Sequence, residues 1–234
     1  MKTVLFDLDG TLLPMDQDIF TKAYFKALAA AMMPYGYEPQ TLVRAVWNGM
    51  AAMTSSHPGR TNEQMFWESF ERDYGKKAAE DKPRFDEFYR TGFHAAKKVC
   101  GFNPLAKETV DLIRQSGCQT AVATLPVFPS DAITARIEWA GIPLSAFEFY
   151  TSYENCTACK PDPDYYREIL KKVGGKAEDC LMVGNNVDED MIAETVGMKV
   201  FLLTDCLIND HHKDISVYPR GGFRELQEYL KALD

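Results

Sequence analysis

The chain has 234 residues, 46% of them hydrophobic, enough to bury one large core or two modest ones. Its 34 acidic and 26 basic side chains leave a formal charge of −8, which argues against a nucleic-acid backbone as the main partner. No apolar run approaches the ~20 residues of a membrane span, and Asp7 interrupts the first apolar run before a secretion signal could form. A soluble, cytoplasmic protein with no membrane partner is expected.

Residues 4–14, VLFDLDGTLLP, begin as a buried strand and then set Asp7 and Asp9 one residue apart. Strand periodicity points positions i and i+2 to one side. Two carboxylates held roughly 4–6 Å apart repel unless a cation lies between them. The pair therefore suggests a divalent metal, or one acid attacking while the other moves a proton.

Residues 15–100 follow a 3.6-residue period instead: Phe20, Tyr24 and Leu28, then Leu42, Val46 and Met50, then Phe66 and Phe70, then Phe85, Phe88, Tyr89 and Phe93. Four amphipathic helices are predicted, with turns at MPYGYEP and SSHPGRT. Their Met and aromatic stripes are read as a bundle core. Asp16 and Gln17 suit a pocket entrance, and helix capping by Asp16 or Asp18 explains the acids equally well.

After residue 100 strands and helices alternate. Leu105, Thr109, Leu112 and Ile113 lie on one helical face, with Gly117 as a stop. CQTAVAT (118–124) is a predicted strand. SDAITARIEWAG (130–141) is a helix with Ser130 as N-cap, and FEFYTSY (147–153) is strand-like. DPDYYREILKKVGG (162–175) is a helix capped by Asp162, with Pro163 in its first turn. CLMVGN is a strand, DEDMIAETVG (188–197) a short helix with Asp188 and Glu189 in its first turn, KVFLLT a strand, and FRELQEYLKAL the closing helix. This alternation implies an α/β fold: a parallel, Rossmann-like sheet covered by helices on both faces.

In such sheets ligands bind at the carboxyl ends of the strands. There the chain gathers Asp7 and Asp9, the hydroxyl of Thr124, the ammonium of Lys160, and Asn185, Asp188 and Asp190 in GNNVDED. Together they suit phosphoryl transfer, in which a dianionic group needs a cation, donors and an in-line nucleophile. The six cysteines are expected to be unpaired thiols. Cys156-x-x-Cys159 supplies only two of the four ligands of a structural zinc, and His211 and His212 could complete it only by accident of folding.

DLDGTL resembles the first motif of the haloacid dehalogenase superfamily hydrolases, and Thr124, Lys160 and Gly184–Asp190 match the order and spacing of the other three. The resemblance spans the whole chain. It implies a core domain of residues 1–14 and 101–234 and an inserted α-helical cap domain of residues 15–100, with hinges near Leu13–Met15 and Cys100–Asn103. It implies a phosphatase acting on a small phosphorylated metabolite, with Asp7 as the nucleophile that becomes an aspartyl phosphate and Asp9 as general acid and base. Thr124 and Lys160 would hold the phosphoryl group. Mg²⁺ would take Asp7, the Asp9 carbonyl, Asn185 and Asp190 as its protein oxygens, Asp190 through water or through Lys160.

Two departures stand out: Leu125 where an Asn is common, and Asn185 where the fourth motif usually has Asp. Other readings remain. A sugar-phosphate mutase uses the same two acids, and a phosphonate hydrolase needs a cap lysine, for which Lys22 and Lys26 are available. A non-enzymatic phosphoacceptor, or a ligand-binding relative, is a different class. Dehalogenases of the family lack the second acid.

Overall fold

The computed structural model describes residues 1–55 and 57–233; Ser56, within the predicted SSHPGRT turn, lies outside them. Six parallel strands form one sheet: β1 (Thr3–Phe6), β2 (Gln119–Val122), β3 (Phe149–Tyr150), β4 (Cys180–Gly184), β5 (Lys199–Leu203) and β6 (Arg220–Gly221), in the order β3-β2-β1-β4-β5-β6. Central β1 pairs on both sides, Phe6 with Val122 and with Val183. The chain builds outward from β1 to β3 and then restarts at β4 on the other side. The topological switch point therefore lies at the carboxyl ends of β1 and β4.

Alternation along the strands feeds two cores. Val4 and Phe6 join Leu181, Val183, Phe201 and Leu203 on one face. Leu5, Met182, Val200 and Leu202 face the other. The first face is covered by α5 (Pro104–Gln115), α6 (Ser130–Trp139) and α8 (Phe223–Leu233), the second by α7 (Pro163–Val173) through Tyr165, Tyr166 and Ile169. The predicted α/β architecture is present. β6 was not foreseen, and β3 is a two-residue remnant of the strand read at 147–153.

Between β1 and β2 lie α1 (Gln17–Met32), α2 (Pro39–Thr54), α3 (Asn62–Tyr74), α4 (Lys76–Arg90) and a 3₁₀ run, Gly92–Val99. Local chemistry starts each of the first three helices. Asp16 accepts from Ile19 N, Glu38 precedes Pro39 and accepts from Gln40 N and Thr41 N, and Thr61 with Gln64 forms a capping box. Phe93, read as helical, sits in the 3₁₀ run, where it packs against Phe20 and Trp139. The insertion shares one apolar cluster with the first sheet face. Its entry and exit run side by side, Gly101 N donating to Pro14 O at 2.7 Å. The side chain of Asn62 donates to Pro126 O at 2.9 Å, a further tie to the sheet loops.

Three expectations are corrected. Ser130 is the first helical residue of α6 and does not cap it; Pro129 occupies the cap, and Glu154 accepts from Ser130 N at 2.9 and 3.1 Å. A distant carboxylate has taken the local cap's place. On α5, Leu112 is exposed, and Ala106, Thr109, Val110 and Ile113 form the buried stripe. Residues 188–197 contain only a 3₁₀ turn, Met191–Val196; Asp188 lies before it and pairs with His211 at 2.8 Å and Lys213 at 2.5 Å.

Candidate active site

The site is built by backbones that approach closely at the end of β1. Gly10 adopts φ +87°, and a Cβ there would fall 2.4 Å from Asn185 Nδ2, so this turn needs glycine on both counts. Gly184 ends β4 against Asp190, where a Cβ would meet the carboxylate at 2.1 Å. These two approaches bring the first and fourth motifs together.

Lys160, 3% exposed, places its Nζ 2.9 Å from Asp7 Oδ1 and 2.5 Å from Asp190 Oδ1. Burial opposes the ammonium, but Asp190 and Asp7 outweigh it and hold the lysine pKa well above its ordinary value. The other Asp190 oxygen accepts from Asn186 N at 2.9 Å. Thr11 Oγ1 lies 3.1 Å from Asp7 Oδ2 and 2.9 Å from Asn185 Oδ1, with one proton to donate between them. Asn185 Nδ2 donates to Cys206 O at 2.6 Å. The backbone of Thr124 is pinned by Thr151 and Tyr165, whose hydroxyl donates to Thr124 O at 2.7 Å, and its side chain lines the cavity.

Asp9 faces the same cavity and is ion-paired to Arg136. Burial pushes its carboxyl above the ordinary value, against the pull of Arg136. Its Oδ1 is buried without a partner. The cavity, about 250 Å³, lies between α1 and α2 above and the strand ends below. Asp7, Asp9, Thr124, Asn185 and Asp190 all line it, and Lys160 lies directly beneath Asp7. Asp188 stays outside, paired at the surface.

Several lining residues escaped the sequence reading, Glu189, Phe25 and Trp47 among them. Glu189 reads in the sequence as a helix-turn acid; burial, with Asp190 and Asp7 nearby, pushes its carboxyl up to about 7 in spite of Lys160. Phe25 and Trp47 roof the cavity from α1 and α2. Arg136, just behind the lining, was missed too, although its signal was present: a basic residue on the apolar stripe of Ile133, Ile137 and Ala140. Gln17 lines the cavity as foreseen, whereas Asp16 serves as a cap. Lys22, Lys26, Arg44 and Lys97 are exposed, Arg60 pairs with Glu68, and buried His57 meets Asn62 Oδ1 at 2.8 Å, away from the cavity. Cys156 and Cys159 are buried free thiols, each pushed by burial up to about 12.

The donor set suits a hard cation. Among the described residues no group of three or more His, Cys, Asp or Glu side chains is arranged to hold a metal. The oxygens at hand are one Asp7 carboxylate, the Asp9 carbonyl and the neutral Asn185 Oδ1. A sparse, oxygen-only set of this kind fits Mg²⁺, which keeps several of its waters.

A family model described as haloacid dehalogenase-like hydrolase matches residues 1–193. The phosphoglycolate phosphatase of Aliivibrio fischeri is 27% identical over 205 residues, covering 87% of this chain and 84% of its own length. Two solved structures share the fold. A HAD phosphatase from Thermococcus onnurineus has TM-score 0.59 at 17% identity, covering 98% of each chain. A 2-haloacid dehalogenase from Pseudomonas syringae pv. Tomato has TM-score 0.63 at 20% identity, covering 100% of each. With a second acid two residues beyond the first at the end of its central strand, the chain belongs to the haloacid dehalogenase-like hydrolases as a phosphatase-like enzyme.

Proposed function

We propose that the chain is a Mg²⁺-dependent phosphatase that hydrolyses a small phosphate monoester through an aspartyl phosphate on Asp7. The observation that carries this reading is the ammonium of Lys160, 2.9 Å from Asp7, in a cavity that also holds Asp9. A nucleophile beside a buried cation, with a second acid at hand, is what attack on a phosphate dianion requires.

In the first step an Asp7 oxygen attacks phosphorus, and the bond from phosphorus to the ester oxygen breaks. Asp9 gives a proton to the departing alkoxide; burial raises its carboxyl against the pull of Arg136, the direction that favours a general acid. In the second step Asp9 takes a proton from water as the water oxygen attacks phosphorus, releasing inorganic phosphate and restoring Asp7. Lys160 holds and orients Asp7, and Thr124 offers its hydroxyl to the phosphoryl oxygens. Bound Mg²⁺, held by Asp7, the Asp9 carbonyl and Asn185, would supply charge neutralisation for the phosphoryl group. Asp190 contacts Lys160, so its share in the metal site would come through that charge. Residues 15–100 would act as the cap domain, closing over residues 1–14 and 101–234.

The phosphoglycolate phosphatases among its relatives make a small phosphorylated metabolite the natural substrate class. Assay of phosphate release from a generic ester, with and without Mg²⁺, tests the reading. Catalytic release that needs Mg²⁺ supports it. Labelling that stops at one phosphate per chain would instead favour a phosphoacceptor, and phosphate transfer to a second sugar hydroxyl a mutase.

A further inference from the structure

The roof of the cavity is apolar and carries no cation. Phe20 and Phe25 come from α1, Trp47 and Met50 from α2, and Val127 and Phe128 from the loop after β2. Among the described residues lining it there is no lysine, arginine or histidine. The polar groups it takes from α1 are neutral, Gln17, Thr21 and Tyr24; the Gln17 amide reaches Asp9 O at 3.4 Å, and the Tyr24 hydroxyl is already bonded to that of Tyr89 at 2.9 Å. The floor holds Asp7, Asp9, Glu189 and Asp190. The two cations beneath it are committed, Lys160 to Asp7 and Asp190 and Arg136 to Asp9. A second void of about 20 Å³ continues the apolar surface past Tyr24, Met50, Val127 and Phe128.

We infer that the preferred substrate is a phosphate monoester of an uncharged, apolar alcohol, aromatic or alkyl, and not one whose alcohol carries a carboxylate. The inference rests on the phosphatase reading and deepens it. A carboxylated leaving group such as glycolate would lose its hydration beneath a roof that offers it no side-chain cation. An apolar group would instead bury its surface against Phe25, Trp47 and Phe128, with ring geometry available to an aromatic one. Trp47, 48% exposed and 5.4 Å from the Phe25 ring, leaves area still to be covered by such a group.

The test compares kcat/KM for benzyl phosphate, n-pentyl phosphate, glycerol 3-phosphate and 2-phosphoglycolate at one pH and one Mg²⁺ concentration. All four release a primary alkoxide, so leaving-group chemistry differs little and the roof decides. Benzyl phosphate is expected to exceed 2-phosphoglycolate by at least about tenfold, the scale of discrimination an apolar pocket supplies. Phe25→Arg, which brings a guanidinium to the roof, should narrow or reverse that ratio. Equal or better turnover of 2-phosphoglycolate by the unmodified enzyme overturns the inference and leaves the phosphatase reading standing. Failure to release phosphate from any of the four esters overturns that reading, and the inference with it.

Discussion

Arg136 is ion-paired through Nη1 to Asp9 Oδ2, tying the middle of α6 to the acid just beyond β1. The arginine is fully buried, its Nε donates to Ala132 O at 3.1 Å, and its guanidinium lies 4.4 Å from the centroid of the Phe128 ring. Its Nη2 has no partner. One rigid fork thus serves a helix carbonyl, an aromatic face and the carboxylate opposite Asp7.

Replacing Arg136 by Met keeps the volume and leaves Asp9 without its counter-charge. Removing one partner of a buried pair typically costs about 3–5 kcal/mol, and the partial exposure of Asp9 places this case at the low end. Urea unfolding of Arg136→Met, Asp9→Asn and the double variant measures it. The double variant should recover much of the loss, because no unpaired carboxylate is left behind. A double variant as unstable as the sum of the singles would mean that the pair has no coupling.

The two acids at the end of β1 should separate by kinetics. Asp7→Asn should abolish turnover and covalent labelling together, because an amide is no useful nucleophile toward phosphorus. Asp9→Asn should still label with good leaving groups but hydrolyse slowly, a loss of about 10²–10⁴-fold. Acid-quenched labelling in the presence of Mg²⁺ reads both, and full activity of Asp7→Asn would sink the mechanism.

Asn185 stands where the family commonly has an acid, and the structure supplies a reason: its amide nitrogen donates to Cys206 O at 2.6 Å. Asn185→Asp would set a carboxylate oxygen against that carbonyl and should cost about 1–3 kcal/mol of folding stability. The same change should lower the Mg²⁺ concentration needed for half-maximal activity. Asp190→Asn should raise it, because Lys160 then has only Asp7 to balance it. Asp188→Asn should do nothing to the titration, since Asp188 pairs with His211 and Lys213 outside the cavity. The opposite ranking of Asp188 and Asp190 would show that the wrong acid has been placed in the site.

A pH effect on stability is expected in the insertion. Asp81, at a buried position on α4, accepts from the Tyr37 hydroxyl at 3.1 Å and pairs with Arg84 at 2.8 Å and with Lys77. Burial alone would raise its carboxyl, but the bonds from Lys77 and Tyr37 outweigh it and hold the pKa below the ordinary 3.8. A lowered folded-state pKa means that the stabilisation is present above 3.8 and is lost as pH falls through the folded value. Asp81→Asn should therefore be less stable than the unmodified chain at neutral pH, with the gap closing in strong acid. Thermal unfolding across that range checks the sign.

Much of the core was legible because its signals are local. A buried strand ending in Asp7-Leu8-Asp9-Gly10, Asp162 before Pro163, and a hydrophobic stripe on α7 each follow from a few neighbouring residues. The alternation of strand and helix then forces a parallel sheet and brings the strand ends to one edge, so Asp7, Asp9, Thr124, Lys160, Asn185 and Asp190 could be gathered in advance. Tertiary structure alone decided the rest. Phe25 and Trp47 roof the cavity while Phe66 and Phe70 fill the core of the insertion, yet all four are aromatic residues in amphipathic helices, and periodicity does not distinguish a pocket wall from a core. Ser130 lost its capping role to Glu154, 24 residues away. Arg136 and Asp9 are 127 residues apart in the chain; only the packing of α6 beneath the end of β1 removes water from both and makes them a pair.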